Sequence, residues 1–133
     1  MTIKLPGDKD FESRPSIEAK ALKINLNENI YGTFAEIGAG QEVARHFFSV
    51  GGASGTIAKT ISAYDKNFSD KIYGEESDGR YVTETRLKRM MDHEMNLLKD
   101  RIPRKENPNK MFFTYANTVA TINYSKKFKG HGW

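Results

Sequence analysis

The chain has 133 residues and no cysteine. That absence removes disulfides, thiolate metal sites, iron–sulfur clusters and cysteine nucleophiles together. Long apolar runs are missing as well. The longest uncharged apolar stretch falls far short of the ~18 residues a membrane helix needs, so no membrane association is expected. No N-terminal segment joins a basic start to an apolar stretch, so no signal peptide is readable and the expected location is cytoplasmic. Leu, Ile, Val and Phe make up 28 of the 133 residues. This is just above the ~20% below which disorder becomes the default. A net charge of only +4 adds no self-repulsion that would favour disorder. What remains is one soluble globular unit of ordinary domain size.

The positive charge is concentrated late in the chain. Residues 99–133 hold eight Lys and Arg against Asp100 and Glu106, whereas residues 1–98 are slightly acidic. Arg104, Lys105, Lys126, Lys127 and Lys129 form the candidate polyanion-binding set. Tyr115, Tyr124, Phe128 and Trp133 lie among these charges, where they suit stacking on bases. A solvated basic face with a tail accounts for the same residues, since no RRM, KH or zinc-finger pattern accompanies them.

Residues 1–15 read as an extended arm with no core of its own, leaving 16–133 as a single α/β domain. Ser16 can cap a helix running to about Leu26. Ile30 to Gly32 looks like a turn. Thr33 to Ile37 is a short strand, Gly38-Ala39-Gly40 a break, and Gln41 to Ser49 a helix with Val43, Ala44, Phe47 and Phe48 on one side. Thr56 to Tyr64 alternates with period two and carries β-branched residues, a strand pattern. Asp65 to Gly74 is short and mixed and reads as one helical turn. The strongest helix is Thr83 to about Arg101, where Leu87, Met90, Met91, Met95 and Leu98 trace a stripe that only Glu94 breaks. Thr83 suits the cap and Pro103 forbids continuation. Met111 to Ala116 is a strand, and Thr118 to Tyr124 is a further strand or its continuation. This order predicts α/β layering: a small sheet with a strand–glycine turn–helix–strand unit and one long amphipathic helix. The strands Thr33–Ile37 and Thr56–Tyr64 should then be parallel neighbours.

The segment from Thr33 to Asp65 carries the candidate site. A strand ends in Glu36-Ile37-Gly38-Ala39-Gly40 and a helix begins at once, so backbone amides at the helix start stand free for a phosphate or carboxylate. Arg45, one turn into that helix, is the side chain best placed for such an anion. A second cluster, Gly51-Gly52-Ala53-Ser54-Gly55, could form an anion nest. It is no Walker loop, because Lys59 and Thr60 stand three residues too late. The candidate ligand set is Glu36, Gly38, Gly40, Gln41, Arg45, Gly52, Ser54, Gly55 and Asp65. A tight strand–helix turn with no ligand is the simpler explanation of the same glycines.

This segment resembles the first motif of class I S-adenosylmethionine-dependent methyltransferases, a strand followed by E-x-G-x-G. The resemblance implies that Glu36, Gly38 and Gly40 line a cofactor and that Asp65 holds its ribose. Gln41 departs from the small residue common at its place, and the 27-residue step from Gly38 to Asp65 exceeds the ~20 of such units. Over Tyr31 to Trp133, the runs GTFAEIGAGQEVARHFFSVGGASGTIAKTISAYD, FSDKIYG and YVTETRLKRMM resemble the N-terminal part of a longer bacterial protein family. Its members carry labels as unlike as outer-membrane receptor and nicotinate-nucleotide adenylyltransferase. The resemblance implies an incomplete version of a larger domain, with His131-Gly132-Trp133 as the start of a further strand. It also implies a sheet that a protein partner or second copy would cover.

Other chemistry is sparse. Glu36, Glu42, Asp65 and Asp70 could share a Mg²⁺ ion but read as scattered surface acids, so no metal is expected. His46, His93 and His131 are isolated, and Ser54 lacks the spacing of a nucleophile elbow. Enzyme status and cofactor therefore stay open. The expected function is a module binding a small anionic or nucleotide-like ligand. The alternative is an accessory subunit of a larger RNA or protein assembly.

Overall fold

A computed structural model describes residues 14–122, 124–125 and 129–133. Most of the expected extended arm, along with Lys126, Lys127 and Phe128, lies outside the described residues. Helix α1 spans Ile17–Asn25, and the Ser16 hydroxyl accepts from the Ala19 amide as its cap. Strand β1 (Ile30–Gly38) leads through a glycine turn into the short helix α2 (Val43–Phe48) and on to strand β2 (Ile57–Ala63). Helices α3 (Lys66–Tyr73) and α4 (Glu84–Arg101) follow, then strands β3 (Met111–Ala120) and β4 (His131–Gly132). The sheet order is β2-β1-β3-β4. β1 is parallel to both neighbours and β4 runs antiparallel to β3. The α/β class and the parallel β1–α2–β2 unit are as the sequence predicts.

The two crossovers leave β1's neighbourhood in opposite directions and use opposite faces, as crossovers of one hand must. On one face, Phe34 of β1 packs against Phe47 of α2, with ring centres 5.1 Å apart. On the other, Ala35, Ile37, Ala63 and Ala116 from three strands meet Met90 of α4 and Tyr73 of α3. Alternation along β1 produces this split, sending Phe34 and Glu36 to the α2 face and Thr33, Ala35 and Ile37 to the α4 face. Met90 is fully buried at the centre of the α4 face. Met90→Ala is expected to cost about 2–5 kcal/mol in urea-induced unfolding, through lost contacts and the cavity left behind.

Two local expectations need correction, while the continuation reading of the strand after Met111 holds. Ile30 to Gly32 is strand, not turn; Gly32 sits there because a Cβ would overlap the Phe113 carbonyl oxygen and ring. Asp65 to Gly74 holds a full eight-residue helix, α3, capped by the Asp65 carboxylate on the Phe68 amide at 3.1 Å. β3 is one continuous strand from Met111 to Ala120. His131 and Gly132 do pair in the sheet, opposite Ala120 and Val119. No helix among the described residues is long and apolar enough to cross a membrane.

Candidate functional site

The carboxyl end of β1 is the most heavily wired point of the sheet. Glu36 is 5% exposed. Its carboxylate accepts from the Val43 amide at 2.8 Å, the Ala44 amide at 3.2 Å and Asn117 Nδ2 at 3.1 Å. Asn117, directly opposite on β3, also donates to the Gly40 carbonyl at 2.9 Å. The free helix-start amides expected for a ligand anion are therefore occupied by the chain's own carboxylate. This corrects the sequence-level picture: the acid at the strand end and the short helix satisfy one another.

The glycines of the turn have a packing role. Gly38 has φ +78°, and a Cβ on it would overlap the Val119 carbonyl oxygen. A Cβ on Gly40 would meet Asn117 Oδ1 and Val119 Cγ2 at 2.7 Å. Both glycines let β3 close against the turn, a junction sealed by the Ala39 amide on the Val119 carbonyl at 3.1 Å. Their open sides face β3 rather than a ligand.

The two glycine clusters do not form one site. α2 returns antiparallel to the strands, so the Gly51–Gly55 loop enters β2 at the amino edge of the sheet, opposite the Gly38–Gln41 turn. The loop is clamped instead by Asn25 of α1, whose Nδ2 donates to the Phe47 and Gly51 carbonyls at 2.9 and 2.7 Å. Gly52, Ser54 and Gly55 are thereby removed from the Glu36 site. Asp65 lies beyond the end of β2 and spends its carboxylate on capping α3.

Three of the expected residues do converge. Glu36, Gln41 and Arg45 line one cleft of about 290 Å³ between α2 and β2, joined by Thr60 and Ser62. Gln41 Nε2 donates to the Gly38 carbonyl at 2.9 Å and braces the turn. Arg45 is exposed and makes no ion pair among the described residues. The hydroxyls of Thr60 and Ser62 alternate with inward-facing Lys59, Ile61 and Ala63, so both belong to the α2 face.

The basic candidates are spread along the molecule. Arg104 and Lys105 precede β3, with the Arg104 guanidinium 5.9 Å from the Phe112 ring centre. Lys129 follows β3 at its other end, about 30 Å of strand away. Tyr115, read as a stacking residue, packs in the sheet against Phe34 at 5.5 Å. Among the described residues, no group of three or more His, Asp or Glu could hold a metal.

Two buried charged clusters escaped the sequence reading. Arg86 is 0% exposed on the α4 face. It donates to the Gly74 carbonyl at 2.6 Å and Ser69 Oγ at 2.8 Å, and pairs with Glu76 and Asp70 at 3.2 and 3.5 Å. Its guanidinium also stacks 4.7 Å from the Tyr81 ring centre. The second cluster pairs Glu94 with Lys59 at 2.6 Å and takes the Tyr73 hydroxyl on Glu94 Oε2 at 3.2 Å. Burial, followed by the Glu94 charge beside it, pushes the Tyr73 phenol well above its ordinary value and keeps it a neutral donor. The break that Glu94 makes in the apolar stripe was the available signal. Arg86 gave none, because a lone arginine on a helix reads as surface.

This architecture has counterparts among solved structures. The fold is similar to that of two solved structures. The competence/damage inducible protein CihA from Agrobacterium tumefaciens matches with a TM-score of 0.55 and 17% identity, over 81% of this chain and 62% of its own. A competence-damaged protein (CinA) superfamily protein from Enterobacter cloacae matches with a TM-score of 0.58 and 13% identity, over 98% of this chain and 70% of its own. The chain thus spans less than two thirds of the first structure, in keeping with part of a larger domain. At these identities the likeness is one of fold alone. No protein-family model and no curated protein sequence matches the chain. Neither structural likeness supports the receptor or methyltransferase labels.

Proposed function

We propose that the chain is an α/β binding module for a small anionic, nucleotide-like ligand, held in the cleft between α2 and β2. The observation that carries this is the convergence of Glu36, Gln41 and Arg45 with the hydroxyls of Thr60 and Ser62 at the carboxyl edge of β1 and β2. Open parallel sheets hold ligands outside the carboxyl ends of their strands. In this assignment Arg45 supplies the charge for a phosphate, which its planar fork grips bidentately. Thr60 and Ser62 supply neutral donors beside it. Glu36 uses three of its roughly four lone-pair sites internally and offers the last to a sugar hydroxyl. The volume suits a mononucleotide-sized fragment, near the lower limit of the ~300–1,000 Å³ typical of small-molecule sites. Anchoring comes from side chains, not from the helix start, which Glu36 already fills.

Calorimetric titration with AMP and with inorganic phosphate tests this. Wild type is expected to bind AMP, and Arg45→Ala to weaken it by about 10–100-fold, the worth of a charge-assisted hydrogen bond. Arg45→Lys should recover only part, since the ammonium lacks the fork. AMP affinity unchanged in Arg45→Ala would contradict the assignment.

A further inference from the structure

Lysine in the middle of a sheet strand and glutamate in the middle of a helix's apolar stripe are both unfavourable alone. Here they meet. Lys59 belongs to the face of β2 that packs under α4, and Glu94 replaces an apolar residue on the stripe that covers it. Glu94 is 1% exposed, whereas the Lys59 side chain retains 37% of its exposure. A pair buried this way contributes little net stability, because the desolvation of both charges offsets their attraction. What it does achieve is to fix the Lys59 ammonium at one point. That point opens into a pocket of about 230 Å³ formed by β1, β2 and the carboxyl-terminal half of α4.

We infer that this pocket is a second binding site, for a small carboxylate with an apolar body. The walls are Tyr31, Ala58, Leu97, Leu98 and Ile102, which would take the apolar part. The charges that line it are Lys59, Glu94 and Arg101. Lys59 and Glu94 cancel, and Arg101 makes no ion pair among the described residues, so the pocket carries one uncompensated positive charge. The ammonium has three N–H groups and bonds only Glu94 among the described residues, which leaves donors for an incoming anion. Glu94 Oε2 is shared between the Tyr73 hydroxyl at 3.2 Å and the ammonium at 3.4 Å, so Glu94 takes at most two of the three Lys59 donors. The volume lies below that of drug-sized sites, which limits the ligand to a compact molecule. This pocket is on the opposite face and at the opposite edge of the sheet from the Arg45 cleft. The inference is therefore independent of the function proposed above.

Fluorine NMR titration of the whole chain with 4-fluorobenzoate and with 4,4,4-trifluorobutyrate tests it, with 4-fluorobenzyl alcohol as the neutral comparison. At least one carboxylate is expected to bind saturably, about tenfold or more tighter than the alcohol. Lys59→Met combined with Glu94→Gln leaves no buried unpaired charge and should weaken the carboxylate about tenfold or more. Arg101→Gln should weaken it several-fold, and Lys88→Met, on the outer face of α4, should leave it unchanged. If the double variant fails to fold, Arg101→Gln and the alcohol still decide. Equal binding of alcohol and carboxylate, unchanged affinity in a folded double variant or in Arg101→Gln, or no saturable binding of either carboxylate would overturn the inference.

Discussion

Arg86→Met is expected to destabilise the fold by about 3–5 kcal/mol, the characteristic cost of removing one partner from a buried charge cluster. The side chain is fully buried and holds four groups at once: the Gly74 carbonyl, Ser69, Glu76 and Asp70. Methionine fills much of the volume but leaves two carboxylates facing an apolar side chain. It also releases the loop between α3 and α4, which Arg86 ties down through Gly74, Glu76 and the Tyr81 ring. Urea unfolding followed by circular dichroism gives the number. Two companions separate charge from shape. Arg89→Met removes an exposed partner of the same Glu76 and should cost about 1 kcal/mol or less. Adding Asp70→Asn and Glu76→Gln to Arg86→Met should recover part of the loss, because no buried charge then stands alone. A loss under about 1 kcal/mol for Arg86→Met would mean that water, not Arg86, satisfies the two acids.

Gly38→Ala should have an effect of similar size by a different route. The residue needs φ +78°, and its new Cβ would overlap the Val119 carbonyl oxygen. Backbone strain of about 1–3 kcal/mol adds to overpacking of about 1–3 kcal/mol. The expected total is about 2–6 kcal/mol, with β3 pushed from the end of β1. Hydrogen exchange locates the damage, since the Ala39 amide, bonded to Val119, should lose protection first. Gly79→Ala is the control. It has φ +68° with open space around it, so only the strain remains, about 1–2 kcal/mol. Equal losses at Gly38 and Gly79 would show that the close approach of β3 is not what requires glycine.

Most of the chain's layout was legible because it is written locally. Ser16 and Thr83 announce their helices by capping chemistry, and both hydroxyls accept from the third residue on, Ala19 and Arg86. The β1–α2–β2 unit follows from two strand patterns around one amphipathic helix. Misreadings arose where a residue's reason lies elsewhere in the fold. Gly32 looks like a turn residue until Phe113 is laid beside it. Gly52 and Gly55 look like companions of Gly38 and Gly40, but the return of α2 carries them to the other edge. Within the site, Glu36, Gln41 and Arg45 were readable as neighbours of one turn. Thr60 and Ser62 were not, because their membership depends on which face of β2 meets α2. That Glu36 would fill the helix start itself depends on a buried three-donor geometry that no spacing rule encodes. Lys59 and Glu94 stand 35 positions apart and became a pair only when β2 and α4 were brought together.

The most direct measurement is a ¹H–¹⁵N correlation titration of the uniformly labelled chain with AMP. The cleft assignment predicts saturable shifts confined to the amides of Gln41, Ala44, Arg45, Thr60, Ile61 and Ser62, with one common dissociation constant. Lys59, Glu94 and Leu97 should not move, because they belong to the pocket on the other face. Shifts centred on Gly52–Gly55 or on Lys129–Trp133, or no saturable shift at any amide, would contradict the account.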